Sequence, residues 1–167
     1  MNAALYAITK SAEAKSIKVS GFRKGYEGLI DGDLIPLKAH ELQKVTQKGG
    51  TILKTARSKR FMELEGRKKA LQTLKENNID ALIAIGGDGT FKGLLAFSEI
   101  CDIPFIGIPG TIDNDISGTD YTLGFDTAVN TAIENIDKIR DTAESHSRVF
   151  IVEVMGRDSG YIAIHSG

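Results

Sequence analysis

The sequence predicts an α/β fold, a three-layer arrangement with a mostly parallel sheet and helices on both faces. Three observations point to it. Strand-length apolar runs recur at 81–85, 105–108 and 149–154. Each spills into a small-residue loop, GGDGT at 86–90, PGTIDND at 109–115 and MGRDSG at 155–160. Helical periodicity fills the intervals between them. Short continuous apolar runs are the pattern of strands buried on both faces, and alternation of strand, loop and helix is the pattern of right-handed βαβ units. Ligands of such sheets bind outside the carboxyl ends of the strands, so all three loops are expected on one functional edge.

Taken in order, Met1–Lys15 sets Ala3, Ala4, Ala7, Ile8 and Ala12 at helical spacing, an amphipathic helix that starts without a capping residue. Ile17–Phe22 alternates apolar and polar residues as a strand does. Gly21–Gly28 reads as a turn-rich loop around Tyr26, and Asp31-Gly32-Asp33 as a second turn suited to a hairpin. The following stretch has little periodicity, with Gly49-Gly50 and Thr55-Ala56-Arg57 interrupting any long helix. Met62–Asn77 is expected to be a surface helix with Met62, Ala70, Leu71 and Leu74 inward, ended by Asn77-Asn78. After the strand Ala81–Ile85, a helix over Thr90–Glu99 turns Phe91, Leu94, Leu95 and Ser98 to the sheet. The strand Phe105–Ile108 precedes a long helix, Phe125–Arg140, with Ala128, Val129, Ala132, Ile133, Ile136 and Ile139 on one face. Val149–Val154 is expected as a further buried strand, and Tyr161–Ser166 as the start of a helix.

Composition narrows the function. A chain of 167 residues with 41% hydrophobic content suits one domain with a real core. A net charge of −1 gives no reason to expect a nucleic-acid or anionic-membrane partner. The single Cys101 rules out an internal disulfide and suits a small buried apolar role. With no leader-like start and no window long enough to span a bilayer, a cytoplasmic location is expected. Most of the 18 glycines sit in short loops after apolar runs rather than in a linker, as expected of backbone approached closely by a ligand or of tight turns.

Each loop carries two readings. Gly86-Gly87-Asp88-Gly89-Thr90 can hold phosphate oxygens on backbone N–H groups and the positive end of the next helix, with Asp88 requiring an intervening cation such as Mg²⁺. The other reading is a tight turn in which Asp88 caps a helix. Thr111-Ile112-Asp113-Asn114-Asp115 offers two carboxylates pointing opposite ways in an extended loop, one fit to take a proton from a hydroxyl, or else a solvated acidic turn. Met155-Gly156-Arg157 brings a guanidinium suited to phosphate, although a lone loop arginine, like Arg57, Arg140 or Arg148, is commonly just solvated. Tyr26 either stacks on a base or covers core. His40, His146 and His165 carry no legible function.

The three loops, in this order and spacing, resemble the 6-phosphofructokinase family. GGDGT is shared with other kinase groups; PGTIDND and MGRDSG are far more specific, and GYEGL, TAR and GTDYTLGFDTA add matches along the whole chain. The resemblance implies a Rossmann-like nucleotide-binding amino-terminal domain over 1–167. It implies that a first strand and a glycine-rich GGDxPG loop precede Met1 and that a second, sugar-phosphate domain follows Gly167. On that expectation this polypeptide is inactive by itself. The implied reaction of the intact enzyme is ATP-dependent, Mg²⁺-assisted phosphorylation of fructose 6-phosphate to fructose 1,6-bisphosphate in glycolysis, by a homo-oligomer, a tetramer.

Position by position, the resemblance makes Asp113 the base for the sugar's 1-hydroxyl, with Thr111 and Asp115 supporting its loop and Arg157 beside it. Asp88 becomes the metal carboxylate, and Gly87, Gly89 and Thr90 line the ATP phosphates, with Tyr26 and Arg57 beside the nucleotide. Substrate contacts fall to Thr111, Ile112, Asp113, Met155, Gly156, Arg157 and, reaching into a neighbouring subunit, Arg148. Arg140 matches an effector-binding arginine, whereas Tyr6 and Lys10 stand where the first helix of bacterial members carries basic effector contacts. Pyrophosphate-using members tend to carry aspartate and lysine where this chain has Gly89 and Gly110, so the glycines favour ATP. The alternatives are a pyrophosphate-dependent enzyme and a non-catalytic fragment or subunit.

Overall fold

The computed structural model describes Met1–Gly167. The chain divides into two compact units, Met1–Ala84 with Thr90–Ile106, and Ile85–Gly89 with Gly107–Gly167. In order, the elements are α1 (Asn2–Glu13), β1 (Ser20–Phe22), α2 (Tyr26–Asp31), β2 (Leu34–Pro36), α3 (Ala39–Gln43), α4 (Leu64–Glu76), β3 (Leu82–Gly86), α5 (Asp88–Ser98), β4 (Phe105–Pro109), α6 (Phe125–His146) and α7 (Tyr161–Ser166). Short 3₁₀ turns lie at Arg60–Met62 and Arg157–Ser159.

In the first unit, α1 forms as expected but buries a different face. Asn2, Leu5 and Thr9 are its buried residues, while Ala3 and Ala7 are exposed. The reason lies with Asn2: its amide donates to the Lys48 carbonyl at 3.1 Å and its Oδ1 accepts from the Ile52 N–H at 2.9 Å. A buried side chain that satisfies backbone on both sides of Gly49-Gly50 fixes the helix's rotation. Glu13 accepts from the Ala39 N–H at 2.8 Å and so anchors α3 from the other end.

The loop expected around Tyr26 closes into α2 instead. Gly28 allows this: a Cβ there would sit 1.7 Å from the Arg23 carbonyl oxygen, a contact no side chain survives. The Asp31-Gly32-Asp33 signal is then a helix stop rather than a hairpin. Gly32 is left-handed at the end of α2, and the chain returns as β2, antiparallel to β1 with Gly21 opposite Ile35. Arg60 straps α2 from outside, with Nη1 3.0 Å from Glu27 and Nη2 2.6 Å from Asp31. The hydrogen bond from Arg60 holds the Asp31 carboxyl below its ordinary range.

The core of this unit joins Leu29, Ile30, Phe61, Ala70, Leu74, Phe97 and Cys101. It packs the expected face of α4, with Ala70 and Leu74 fully buried, although Met62 is 74% exposed. On α5 the inward residues are Leu94 and Phe97, while Leu95 is 73% exposed. Phe97 wins that position because its ring lies edge-on to Phe61 at 5.3 Å and against Phe105 at 5.7 Å.

Strands β3 and β4 pair with each other. In the first unit Leu82 N donates to Pro104 O, and in the second Gly110 N donates to Gly86 O. Both strands advance in the same sense from one bond to the next, so the pair is parallel, with α5 as its crossover.

In the second unit, the amino-terminal half of the expected α6 stripe packs inward, while Ile136 and Ile139 stay half-buried outside the cluster. Phe125 and Val129 are buried with Ile162 of α7, and Ala128, Ala132 and Ile133 pack against them. The third expected strand does not form. Residues 148–156 make no strand, and Val149 and Ile151 are 94% and 98% exposed. Strand propensity is a preference for a pleated surface with a ladder partner, and no strand pairs with this segment. Only Val154 of the run packs inward, onto the Phe125 cluster.

Burial separates the two apolar groups energetically. Phe97→Ala is expected to lower the unfolding free energy by about 3–5 kcal/mol, and Ile151→Ser to change it by no more than about 0.5 kcal/mol. Denaturant titration of both variants measures the contrast.

Candidate functional site

The site grows from the ends of two parallel strands. β3 runs into Gly86-Gly87-Asp88-Gly89 and α5; β4 runs into Pro109-Gly110 and the loop 111–115. Within the second unit the two loops lie side by side. Gly110 N donates to Gly86 O at 2.9 Å, and a Cβ on Gly87 would rest 3.5 Å from Thr111 Cβ.

The acidic loop is fixed by its own polar atoms. Thr111 Oγ1 accepts from the Asp113 N–H at 3.1 Å, a local turn that hydroxyl residues make readily. Thr122, only 5% exposed, reaches back twice: its hydroxyl donates to Thr111 O at 2.7 Å, and its N–H donates to Asn114 Oδ1 at 2.9 Å. Asn114 completes the closure through Nδ2 to Asp120 O at 3.2 Å. Its φ of +50° is left-handed, a region that asparagine tolerates better than most residues. Leu123 N donates to Pro109 O at 3.0 Å, closing the base of the loop.

The third loop meets the second. Arg157, itself left-handed with φ of +49°, places Nε 3.8 Å from Asp113 Oδ2. The Asp113 side chain is 14% exposed and that of Arg157 70%. Ser159 Oγ donates to Asp113 O at 2.8 Å and Gly156 O at 2.7 Å. A largely enclosed carboxylate beside a guanidinium can accept a proton while the arginine holds negative charge nearby.

The structure therefore brings Gly87, Thr111, Asp113, Gly156 and Arg157 together, with Asp88 and Gly89 opening α5 in the same unit. Other candidates stand apart from that cluster. Asp115 is exposed and, with Asn114, Tyr121, Tyr161 and His165, lines an open depression of about 700 Å³. Ile112 packs against the Phe125 cluster. Met155 is 75% exposed. Arg148 is exposed beyond the end of α6, and Arg140 pairs at 3.1 Å with Asp137 on its own helix. Neither bonds to the three loops.

Tyr26, Arg57 and Thr90 belong to the first unit. Tyr26 stacks on Phe61 with centroids 3.8 Å apart, and its hydroxyl donates to Thr90 O at 2.5 Å. A Cβ on Gly93 would come within 2.8 Å of its ring, so glycine there admits the tyrosine. Burial pushes the Tyr26 phenol well above its ordinary range. Of its two readings, core cover fits this geometry. Arg57 is exposed on an irregular stretch.

Sequence reasoning passed over Asn114, Thr122 and Ser159. A short-range signal existed only for the Thr111-x-Asp113 turn; the other three act across longer gaps. Thr122→Val keeps the shape but leaves the Thr111 carbonyl without its hydroxyl partner, at an expected cost of about 1–3 kcal/mol. Chemical denaturation of Thr122→Val and Thr122→Ser checks it, with the serine expected to recover most of the loss.

The Phosphofructokinase family profile matches residues 1–167. The chain is 55% identical over 167 residues to ATP-dependent 6-phosphofructokinase 1 of Thermus thermophilus, covering 100% of this chain and 52% of that protein. It is 53% identical over 168 residues to an ATP-dependent 6-phosphofructokinase of Staphylococcus epidermidis, again covering 100% and 52%. The solved phosphofructokinase of Saccharomyces cerevisiae matches with a TM-score of 0.92 at 35% identity, covering 100% of this chain and 25% of that one. A pyrophosphate-dependent phosphofructokinase from Marinobacter aquaeolei matches with a TM-score of 0.80 at 26% identity, covering 99% and 45%. The chain spans about half the length of the curated relatives it matches. Its α/β fold and its three loops thus have one source: the chain belongs to the phosphofructokinase family.

Proposed function

We propose that this chain works as the phosphoryl-transfer portion of an ATP-dependent 6-phosphofructokinase, acting on fructose 6-phosphate. The observation that carries the reading is the tie between the acidic loop and the arginine loop, with Asp113 enclosed beside Arg157 at 3.8 Å. In the proposed step Asp113 takes the proton of the sugar's 1-hydroxyl as that oxygen attacks the γ-phosphorus of ATP. The bond to the β-γ bridging oxygen breaks and ADP leaves. Arg157 offsets charge building on the transferring group. Such a step asks the protein mainly for positioning and charge neutralisation, which a loop closed by Thr111, Asn114 and Thr122 supplies.

Gly87, Gly89 and Thr90 at the start of α5 would hold phosphate oxygens with backbone N–H groups and the helix's positive end. Asp88, in that first turn, would hold Mg²⁺. The donor chemistry suits that ion: one carboxylate stands in the first turn of α5, and Mg²⁺ usually binds one or two carboxylates with substrate phosphates and water. When bound it would neutralise charge shared between the phosphates. Gly89 also supports ATP as donor, because a Cβ there would meet nothing within 4 Å, leaving open space beside the loop. The relatives named ATP-dependent are 53–55% identical, against 26% for the pyrophosphate-dependent structure.

No helix is long and apolar enough to cross a membrane, and we place the reaction in the cytoplasm. Arg148, exposed and unpaired with the three loops, suits a role in a neighbouring subunit of a homo-oligomer, a tetramer. Arg140 is offered as an effector contact.

A coupled assay of fructose 6-phosphate phosphorylation by the full-length enzyme tests the reading. Turnover is expected with ATP and Mg²⁺, loss on chelation, and little or none with pyrophosphate. Preferential use of pyrophosphate would overturn the donor assignment, and no turnover with either would overturn the function.

A further inference from the structure

A single hydroxyl makes the hydrogen-bonded tie between the acidic and arginine loops. Ser159 Oγ lies 2.8 Å from Asp113 O and 2.7 Å from Gly156 O. With one hydrogen to give, it shares that hydrogen between a carbonyl of the acidic loop and a carbonyl of its own loop. Residues 46 apart in sequence are thereby joined. No other hydrogen bond runs between 109–115 and 155–160.

The other link between these loops is the Arg157–Asp113 pair. At 3.8 Å with the arginine side chain 70% exposed, it is a loose, solvent-screened contact that does not set its own geometry. Arg157 also sits at a left-handed φ of +49°, a conformation that surrounding structure must impose. Ser159 closes the same turn, through its N–H to Gly156 O at 3.2 Å as well as its hydroxyl. The hydroxyl is therefore placed to set how far the guanidinium stands from the carboxylate.

We propose that Ser159 is a positioning residue for phosphoryl transfer, its shared hydroxyl holding the Asp113 and Arg157 loops in mutual register. This rests on the reaction assigned above, and it assigns the serine no contact with substrate. Alanine at 159 would leave both carbonyls without this donor and let the two loops part. Threonine would keep the donor.

The test uses the full-length enzyme as native, Ser159→Ala and Ser159→Thr forms, read by steady-state kinetics and by amide hydrogen exchange. Ser159→Ala should lower kcat by about tenfold or more with the KM for Mg-ATP unchanged, since Å-scale misplacement costs up to about 10²-fold. Exchange should quicken by about tenfold in 113–115 and 156–160 together, as expected for losing the net stabilisation of one hydrogen bond. Ser159→Thr should restore both readouts. Unchanged kcat, faster exchange confined to 156–160, or failure of threonine to rescue would each overturn the proposal. If the native enzyme leaves fructose 6-phosphate untouched, the reaction assignment falls, and the exchange data alone still decide whether Ser159 ties the loops.

Discussion

The closure of the 109–123 segment upon itself is the constraint on which the site depends. Thr122, buried to 5% exposure, spends its hydroxyl on Thr111 O and its N–H on Asn114 Oδ1. A loop rich in small and acidic residues has little apolar area with which to hold a shape, so its geometry must come from satisfied polar groups. Once those bonds are made, Asp113 has a defined backbone, the Gly86–Gly110 bond sets that backbone beside the glycine loop, and Ser159 adds the arginine loop. The placement of Asp113 is thus a consequence of hydrogen bonds made by Thr111, two residues earlier, and Thr122, nine residues further along.

The same physics decides what was legible in the sequence. β3, β4 and α6 were readable as elements because continuous apolar runs and a 3.6-residue period mark strand and helix, although Ile83 and Ile106 stand 39% and 58% exposed where the runs predicted strands buried on both faces. The three loops could be singled out as candidates for the same reason: each follows a strand-like run. The face of α1 was not, because Asn2, a polar residue, is buried by the backbone bonds it makes to residues 48 and 52. Nor was α2, which depends on Gly28 tolerating a carbonyl that any side chain would strike. In the site, Thr111 could be read from its two-residue spacing to Asp113, whereas Ser159 and Thr122 act across 46 and 11 positions. No local pattern encodes such a partnership.

One residue and one segment show how an expectation and a structure inform one another. Tyr26 matches a nucleotide-side position, yet its ring lies flat on Phe61 and its hydroxyl holds Thr90 O. Within its own unit it secures the α5 backbone at Thr90. Val149–Val154 has every mark of a strand and forms none, because a strand is a property of a ladder rather than of a segment. It leaves Val149, Phe150, Ile151 and Val152 exposed in one run.

Turnover of an Asp113→Asn form of the full-length enzyme bears most directly on the account, since the asparagine keeps the size and the backbone bonds while removing the proton acceptor. The account predicts that kcat falls by at least about 10²-fold, the lower end for general acid–base catalysis, with nucleotide affinity retained. A kcat within a few fold of the native value would contradict it and remove Asp113 from the centre of the site.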